Sequence, residues 1–345
     1  MKLHWQKYTL NFKHAAGTSR GVLHVKDSYF IRLTDGDRTG WGECGILRGL
    51  SADDRPDYEA CLNWLKDNIG LPVAELYGEL EEFPSIQFGL EMALRDLEVE
   101  DHLFFPSDFT AGHAGQPING LIWMGDPEFM KDQIRRRLDE GFDTLKMKIG
   151  AVDPAQELNL LRRIRREFTP EEISLRVDAN GAFSPQEVLP FLEELAGLSV
   201  HSIEQPIAKG QWQEMARICE SSPIPIALDE ELIGCFSMAE RERLINTIKP
   251  QFIILKPSFI GGWRGSEEWV ALADAKNIGW WVTSALESNY GLNAIAQWNY
   301  LQKNEIASGL GTGSLYTNNL ESPLEVKGGK LYYNPAAKWH LDALD

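Results

Sequence analysis

Three acids and a base recur at even steps along the second half of the chain, each closing a short apolar run. Asp178 closes Arg176-Val-Asp, Glu204 closes Ser202-Ile-Glu, Asp229 closes Ala227-Leu-Asp and Lys256 closes Ile254-Leu-Lys, at spacings of 26, 25 and 27 residues. One strand, one helix and two short loops take roughly 25 to 30 residues, so each charge holds the equivalent place in a successive βα unit. Upstream, Lys146 and Lys148 lie two apart in Thr144-Leu-Lys-Met-Lys-Ile, and on a strand that parity puts both on one face. Arg176, Asp178 and Asn180 share a face by the same count. One such charge reads as a solvated strand end. Five consecutive strands each carrying one do not, because Lys and Asp are seldom buried unless paired.

Asp178, Glu204 and Asp229 have the character of a hard-cation site. Three monodentate carboxylates leave roughly half of an octahedral Mg²⁺ or Mn²⁺ shell for substrate oxygens and water. Zinc prefers His or Cys, and neither stands at these positions. Asn180 is a candidate to orient Asp178 or Glu204 from behind, and Glu230 is a candidate hydrogen-bond partner beside Asp229. A lysine acts as a general base only when its pKa falls from about 10.4 toward neutrality. A second lysine two residues away and a nearby divalent cation both push in that direction. A carboxylate substrate bound at such a cation can lose its α-proton, because the cation takes up charge developing on the enediolate.

These residues need a scaffold that aims successive strand ends at one point. From Pro117 onward short apolar strands alternate with amphipathic helices, the pattern of a parallel α/β sheet. Strands are expected at 118–124, 144–149, 174–178, 200–204, 224–229, 252–256, 280–284 and 306–310, with seven helices between them. Asp126-Pro127, Asp153-Pro154 and Ser184-Pro185 are helix-start signals. In a closed parallel barrel all strand C-termini open onto one mouth, and Gly309-Leu-Gly-Thr-Gly313 predicts a loop there whose backbone can approach a ligand.

Residues 1–110 read as a separate α+β unit, with strands at 22–33 and 39–46 around the Asp35-Gly-Asp-Arg38 turn and helices at 58–68 and 85–100. Residues 13–21 are small, polar and Gly-punctuated, hence a predicted loop. The barrel then occupies 111–315. A final segment, 316–345, contains a hairpin with a Gly328-Gly329 turn and is expected to return to the first unit. The net charge of −17 and pI near 4.9 argue against nucleic acid as a partner. With no apolar run of about 18 residues and no leader-like start, the expectation is a cytoplasmic protein without a membrane partner. Cys44, Cys61, Cys219 and Cys235 lie too far apart for a metal knuckle and read as reduced thiols.

The Lys-x-Lys, the Asp, Glu and Asp on three following strands, and Leu255-Lys-Pro257 resemble the enolase superfamily, within it the muconate-lactonizing-enzyme subgroup. Arg176-Val-Asp-Ala-Asn180, Ser284-Ala-Leu-Glu-Ser288 and Gly309-Leu-Gly-Thr-Gly313 narrow the likeness, which covers nearly the whole chain. It implies a modified (β/α)7β TIM-type barrel with an α+β capping domain, and Mg²⁺ with a lysine base, a general property of that superfamily. It implies Lys148 as the base that takes an α-proton and then protonates a departing hydroxide. Lys256, on the opposite face, stabilises the dienediolate by a cation–π contact, and Lys146 is the neighbour that tunes Lys148. Arg176 and Ser284 are implied near substrate carboxylates, Gly309 and Gly311 at the mouth, and residues 14–21 over it. The implied reaction is a syn dehydration that aromatises a succinyl-bearing cyclohexadiene carboxylate; racemisation of an N-succinylamino acid is the alternative. Dipeptide epimerases of the family carry Asp-x-Asp on strand eight, where this chain has Gly309-Leu-Gly311.

Overall fold

The computed structural model describes residues 1–18, 21–150 and 153–344. β1 (Lys2–Thr18) and β2 (Gly21–Asp35) pair antiparallel, and the turn at Gly36 returns the chain into β3 (Arg38–Cys44). Residues 13–18 are therefore strand, not the loop expected from their small side chains; a register shift between Asn11 and Ala16 marks a bulge. Ser19 and Arg20, part of the same expectation, lie outside the described residues. Both faces of β2 are buried at 28–31. Tyr29, Ile31 and Leu33 pack with α1 (Tyr58–Asn68), α2 (Val73–Glu79) and α3 (Pro84–Asp96), whereas Phe30 joins the larger core shared with the strands and helices that follow. Helix α3 lies flat on β3 because glycines permit it: a Cβ on Gly42 would sit 1.8 Å from the Gly89 carbonyl oxygen. Two turns of α2 are too short to show a period in the sequence.

After β4 (Gln116–Pro117), seven parallel strands pair in chain order: β5 (Gly120–Ile122), β6 (Thr144–Lys148), β7 (Ser174–Asp178), β8 (Ser202–Glu204), β9 (Ile226–Leu228), β10 (Phe252–Leu255) and β11 (Gly279–Val282). Between and after them run α4 (Pro127–Asp139), α5 (Pro154–Glu167), α6 (Val188–Gly197), α7 (Trp212–Ser221), α8 (Met238–Ile248), α9 (Pro257–Ile260), α10 (Gly262–Ala275) and α11 (Asn289–Leu301). Asp126 accepts from the Glu128 and Phe129 amides at 3.1 and 3.0 Å, and Asp153 from Ala155 at 3.2 Å, so both N-cap signals hold. Ser184 Oγ accepts from the Glu187 amide at 3.3 Å and donates to the Glu187 carboxylate, so that signal caps the turn that leads into α6, whose regular helix begins at Val188. Gly261, at φ +91°, separates α9 from α10, which begins at residue 262, four residues before the expected start.

Segment 306–310 is not a regular strand, but its hydrogen bonds reach both edges of the curled sheet. Ser308 N donates to Pro117 O (3.0 Å) and Asn119 N to Ser308 O (2.9 Å), while Gly309 N donates to Val282 O (2.8 Å). β12 (Leu324–Lys327) and β13 (Lys330–Tyr333) form the expected hairpin, but β13 pairs with β4 and not with the N-terminal sheet. The return to the first unit is made on either side of the hairpin: at 315–318, where Lys13 N donates to Leu315 O and Thr317 N to Asn11 O at 2.8 and 2.9 Å, and at Leu344, whose carbonyl accepts from the Gln6 side chain. No helix among the described residues is long and apolar enough to cross a membrane.

Candidate active site

Strand register brings the charged ends together. Lys148 lies opposite Asp178, Asp178 opposite Glu204, and Glu204 opposite Ala227, two residues before Asp229. Lys146 Nζ is 3.0 Å from Asp178 Oδ2 and 2.5 Å from Glu204 Oε2. Lys148 Nζ donates to the same Asp178 oxygen at 2.9 Å and to Asn180 Oδ1 at 2.6 Å. Four strands round the sheet, Lys256 donates to Asp229 Oδ2. These groups are all nine-tenths or more out of solvent or nearly so, where unpaired charge is costly.

Burial opposes the Lys146 ammonium, yet Asp178, Glu204 and Asp229 outweigh it and raise its pKa above the ordinary lysine value. Burial likewise works against Lys256, and Asp229 and Glu204 overcome it, so its pKa is also raised. Burial disfavours the Asp178 carboxylate, but the three lysines hold its pKa below the usual range. Glu204 goes the other way: burial, then the Asp178 charge, push its carboxyl well up.

Each carboxylate is turned to an ammonium, and among the described residues no three His, Cys, Asp or Glu side chains converge as a ready ligand set. The donor chemistry nevertheless fits a divalent cation. Glu204 Oε1 is buried with no hydrogen-bond partner among the described residues, beside two further acids on adjacent strand ends.

Asn180, at φ +44°, does not orient Asp178 or Glu204 through its side chain. Its amide accepts from Lys148 and donates to Glu230 Oε1 at 3.1 Å; only its backbone N reaches Asp178 Oδ1, at 3.1 Å. Arg176 is placed away from the mouth. It is 4% exposed, one layer below Asp178, donating to Ala307 O at 2.7 Å with its guanidinium 4.5 Å from the Trp281 ring centre. Ser284 does line the cavity, its hydroxyl 2.8 Å from that of Thr312. Gly309 lines it too, but glycine is required there by the neighbouring strand: a Cβ would lie 2.0 Å from Thr283 Oγ1. At Gly311 the nearest atom to such a Cβ is Ile118 Cδ1, at 3.3 Å.

Two participants carry no charge and escaped the sequence reading. Gln205, at φ +39° directly after Glu204, accepts from the Asp229 and Glu231 amides at 3.2 and 3.3 Å and so fastens the adjacent strand end. Trp123 places its ring centre 5.9 Å from Lys148 Nζ. The available signals were the strand-end position of Gln205 and the two-residue parity of 119, 121 and 123. The resulting cavity of about 330 Å³ is lined by Lys146, Lys148, Lys256 and Asp178. Its other walls are largely apolar, and Leu23, Arg48 and Leu50 of the first unit close it.

The family described as "MenC, N-terminal domain" matches residues 2–97, and that described as "Enolase C-terminal domain-like" matches residues 129–336. An o-succinylbenzoate synthase of Desulfotalea psychrophila is 44% identical, over 96% of this chain and 98% of that protein. A crystal structure of MenC from the same organism superposes with a TM-score of 0.86, covering 96% and 99% of the two chains at 41% identity. The L-Ala-D/L-Glu epimerase of Bacillus subtilis is 24% identical over 83% of this chain and 81% of its own. Its substrate-liganded structure, at 22% identity, has a TM-score of 0.82 over 96% of each chain and shares the fold. With the lysine and carboxylate ends gathered at one cavity and both family regions matched, the chain belongs to the enolase superfamily, with a MenC-type N-terminal domain.

Proposed function

We propose that this chain is an o-succinylbenzoate synthase of menaquinone biosynthesis, which dehydrates 2-succinyl-6-hydroxy-2,4-cyclohexadiene-1-carboxylate. The observation that carries this is 44% identity, end to end, to a protein of that activity. The chain's own residues supply the chemistry. Lys148, held between Asp178, Asn180 and the Trp123 ring, takes the α-proton and returns it to the departing hydroxide. One C–H and one C–O bond break on the same face, water leaves, and the ring becomes aromatic. Lys256, across the cavity, stays a cation against the developing negative charge. Asp178, Glu204 and Asp229 would hold Mg²⁺ or Mn²⁺, with Gln205 and Asn180 fixing the strand ends behind them. When bound, that ion supplies positive charge against the substrate carboxylate. The same reading takes the curled sheet and segment 306–310 as a (β/α)7β barrel within 111–315, capped by 1–110, with 316–345 as the returning segment.

A second reading, racemisation of an N-succinylamino acid, is favoured by Lys148 and Lys256 lining one cavity from opposite strands. Chelation tests the assignment. Stripping divalent ions should abolish formation of o-succinylbenzoate, followed by NMR, and Mg²⁺ should restore it; full turnover in excess chelator contradicts the proposed metal site. Deuterium exchange of an N-succinylamino acid faster than diene turnover would make the second reading the primary one.

A further inference from the structure

The inward face of β5 and its flanks carries Asn119, Leu121 and Trp123, which alternate with Gly120 and Ile122 at the strand period. All three line the cavity. Trp123 faces the Lys148 ammonium and Leu121 is apolar, so Asn119 is the odd member. It is 4% exposed, its Oδ1 is buried with no hydrogen-bond partner among the described residues, and its Nδ2, the group that could donate to a ligand oxygen, donates to no described residue. Other buried amides nearby are used: Gln205 holds two backbone amides, and Gln116 donates to Ala296 O at 3.0 Å and accepts from Asn299 at 2.7 Å. Leaving an amide unpaired costs about 1–3 kcal/mol, and Asn is poorly suited to strands. Leucine has nearly the same shape and none of that cost.

The position is fixed by the backbone. Asn119 N donates to Ser308 O, and the next residue, Gly309, accepts from Ser284 N at 3.2 Å. The amide therefore stands on the wall that carries the Ser284–Thr312 hydroxyl pair. Four residues, roughly 13 Å of strand, separate it from Trp123 and the proton-transferring lysine. We infer that Asn119 is a specificity-determining residue whose amide hydrogen-bonds an oxygen of the substrate's succinyl arm. The inference rests on the function proposed above, which gives the substrate an arm bearing a ketone and a terminal carboxylate. Both are acceptors for an amide N–H, and the arm is the part that must lie away from the lysine end.

The test uses the Mg²⁺-loaded full chain. For Asn119→Leu, KM for the diene and Kd for o-succinylbenzoate should each rise on the order of tenfold, the worth of one hydrogen bond to a polar or charged oxygen. The kcat should stay within about twofold, since the chemistry lies elsewhere, and the melting temperature should not fall. Asn119→Asp, which sets a carboxylate against the arm, should raise KM further. Benzoate, which has the ring carboxylate but no arm, should inhibit wild type and Asn119→Leu equally. Unchanged KM and Kd in Asn119→Leu would overturn the assignment, as would equal losses toward benzoate and o-succinylbenzoate with a lowered melting temperature. Wild-type protein that neither consumes the diene nor binds o-succinylbenzoate would remove the functional reading itself and the role of Asn119 with it.

Discussion

Lys148 and Lys256 make similar bonds to carboxylates, yet they should fail differently when removed. Lys148→Ala takes away the proposed proton carrier and should reduce kcat by about 10³-fold or more, toward the upper range for general acid–base catalysis. Lys256→Ala removes electrostatic stabilisation alone, and kcat should fall by about 10²–10³-fold with the proton still passing through Lys148. Steady-state rates on the diene, with solvent deuterium followed into any substrate left unreacted, check both. A reciprocal pattern, each variant losing exchange with one stereoisomer of an amino-acid substrate, would instead identify two bases. Glu204→Gln should weaken Mg²⁺ binding by at least tenfold in calorimetry and lose turnover, because it removes one of three charges proposed to neutralise the ion. The charged members of the site were legible in the sequence because charge at a strand end recurs at the βα period. Arg176, which the family resemblance placed near substrate carboxylates, lies beneath the mouth on Trp281: parity gives the face it shares with Asp178 but not the layer. Uncharged Gln205 and Trp123 gave no such signal.

At the scale of elements, acids of the first unit close helix ends of the second. Glu43, fully buried on β3, accepts from Ser288 N at 2.9 Å and Gly291 N at 3.0 Å, at the start of α11. Behind it Ser28 donates to Glu43 at 2.7 Å, and the buried Lys26 donates to Ser28 at 2.9 Å. Glu43→Gln should cost on the order of 3 kcal/mol, the scale for breaking a buried charged network, read as a lower urea midpoint. Glu91 on α3 accepts from Trp263 N and Arg264 N at 2.6 and 3.0 Å, at the start of α10. Burial pushes its carboxyl from 4.5 up to about 7. A raised acid binds its proton more tightly folded than unfolded, so its contribution to stability is lost as pH rises from about 4.5 to about 7. Within that window the slope approaches 1.4 kcal/mol per pH unit. Glu91→Gln cannot titrate, so its stability relative to wild type should rise from pH 5 to pH 8 in matched urea titrations; a constant difference contradicts the assignment. None of this was visible in the sequence, because Glu43 and Ser288 are 245 residues apart and only tertiary structure pairs them.

For the whole molecule, the alternation of strands and helices from 117 onward announced a parallel sheet, and the Pro-marked N-caps at 126 and 153 hold. The small residues of 13–18 misled because their strand is made by pairing with β2, not by local propensity. Closing the sheet through 306–310 rests on a few backbone bonds to two edges, again a property no local pattern carries. What the assembled molecule offers is a cavity lined by Lys146, Lys148 and Lys256, with no acid at Gly309 or Gly311 to hold an ammonium group. The most direct measurement is therefore the diene absorbance in the presence of purified, Mg²⁺-loaded protein, with L-Ala-L-Glu assayed in parallel. The account predicts loss of the diene with formation of o-succinylbenzoate and no epimerisation of the dipeptide. Epimerised dipeptide with the diene absorbance unchanged would contradict it.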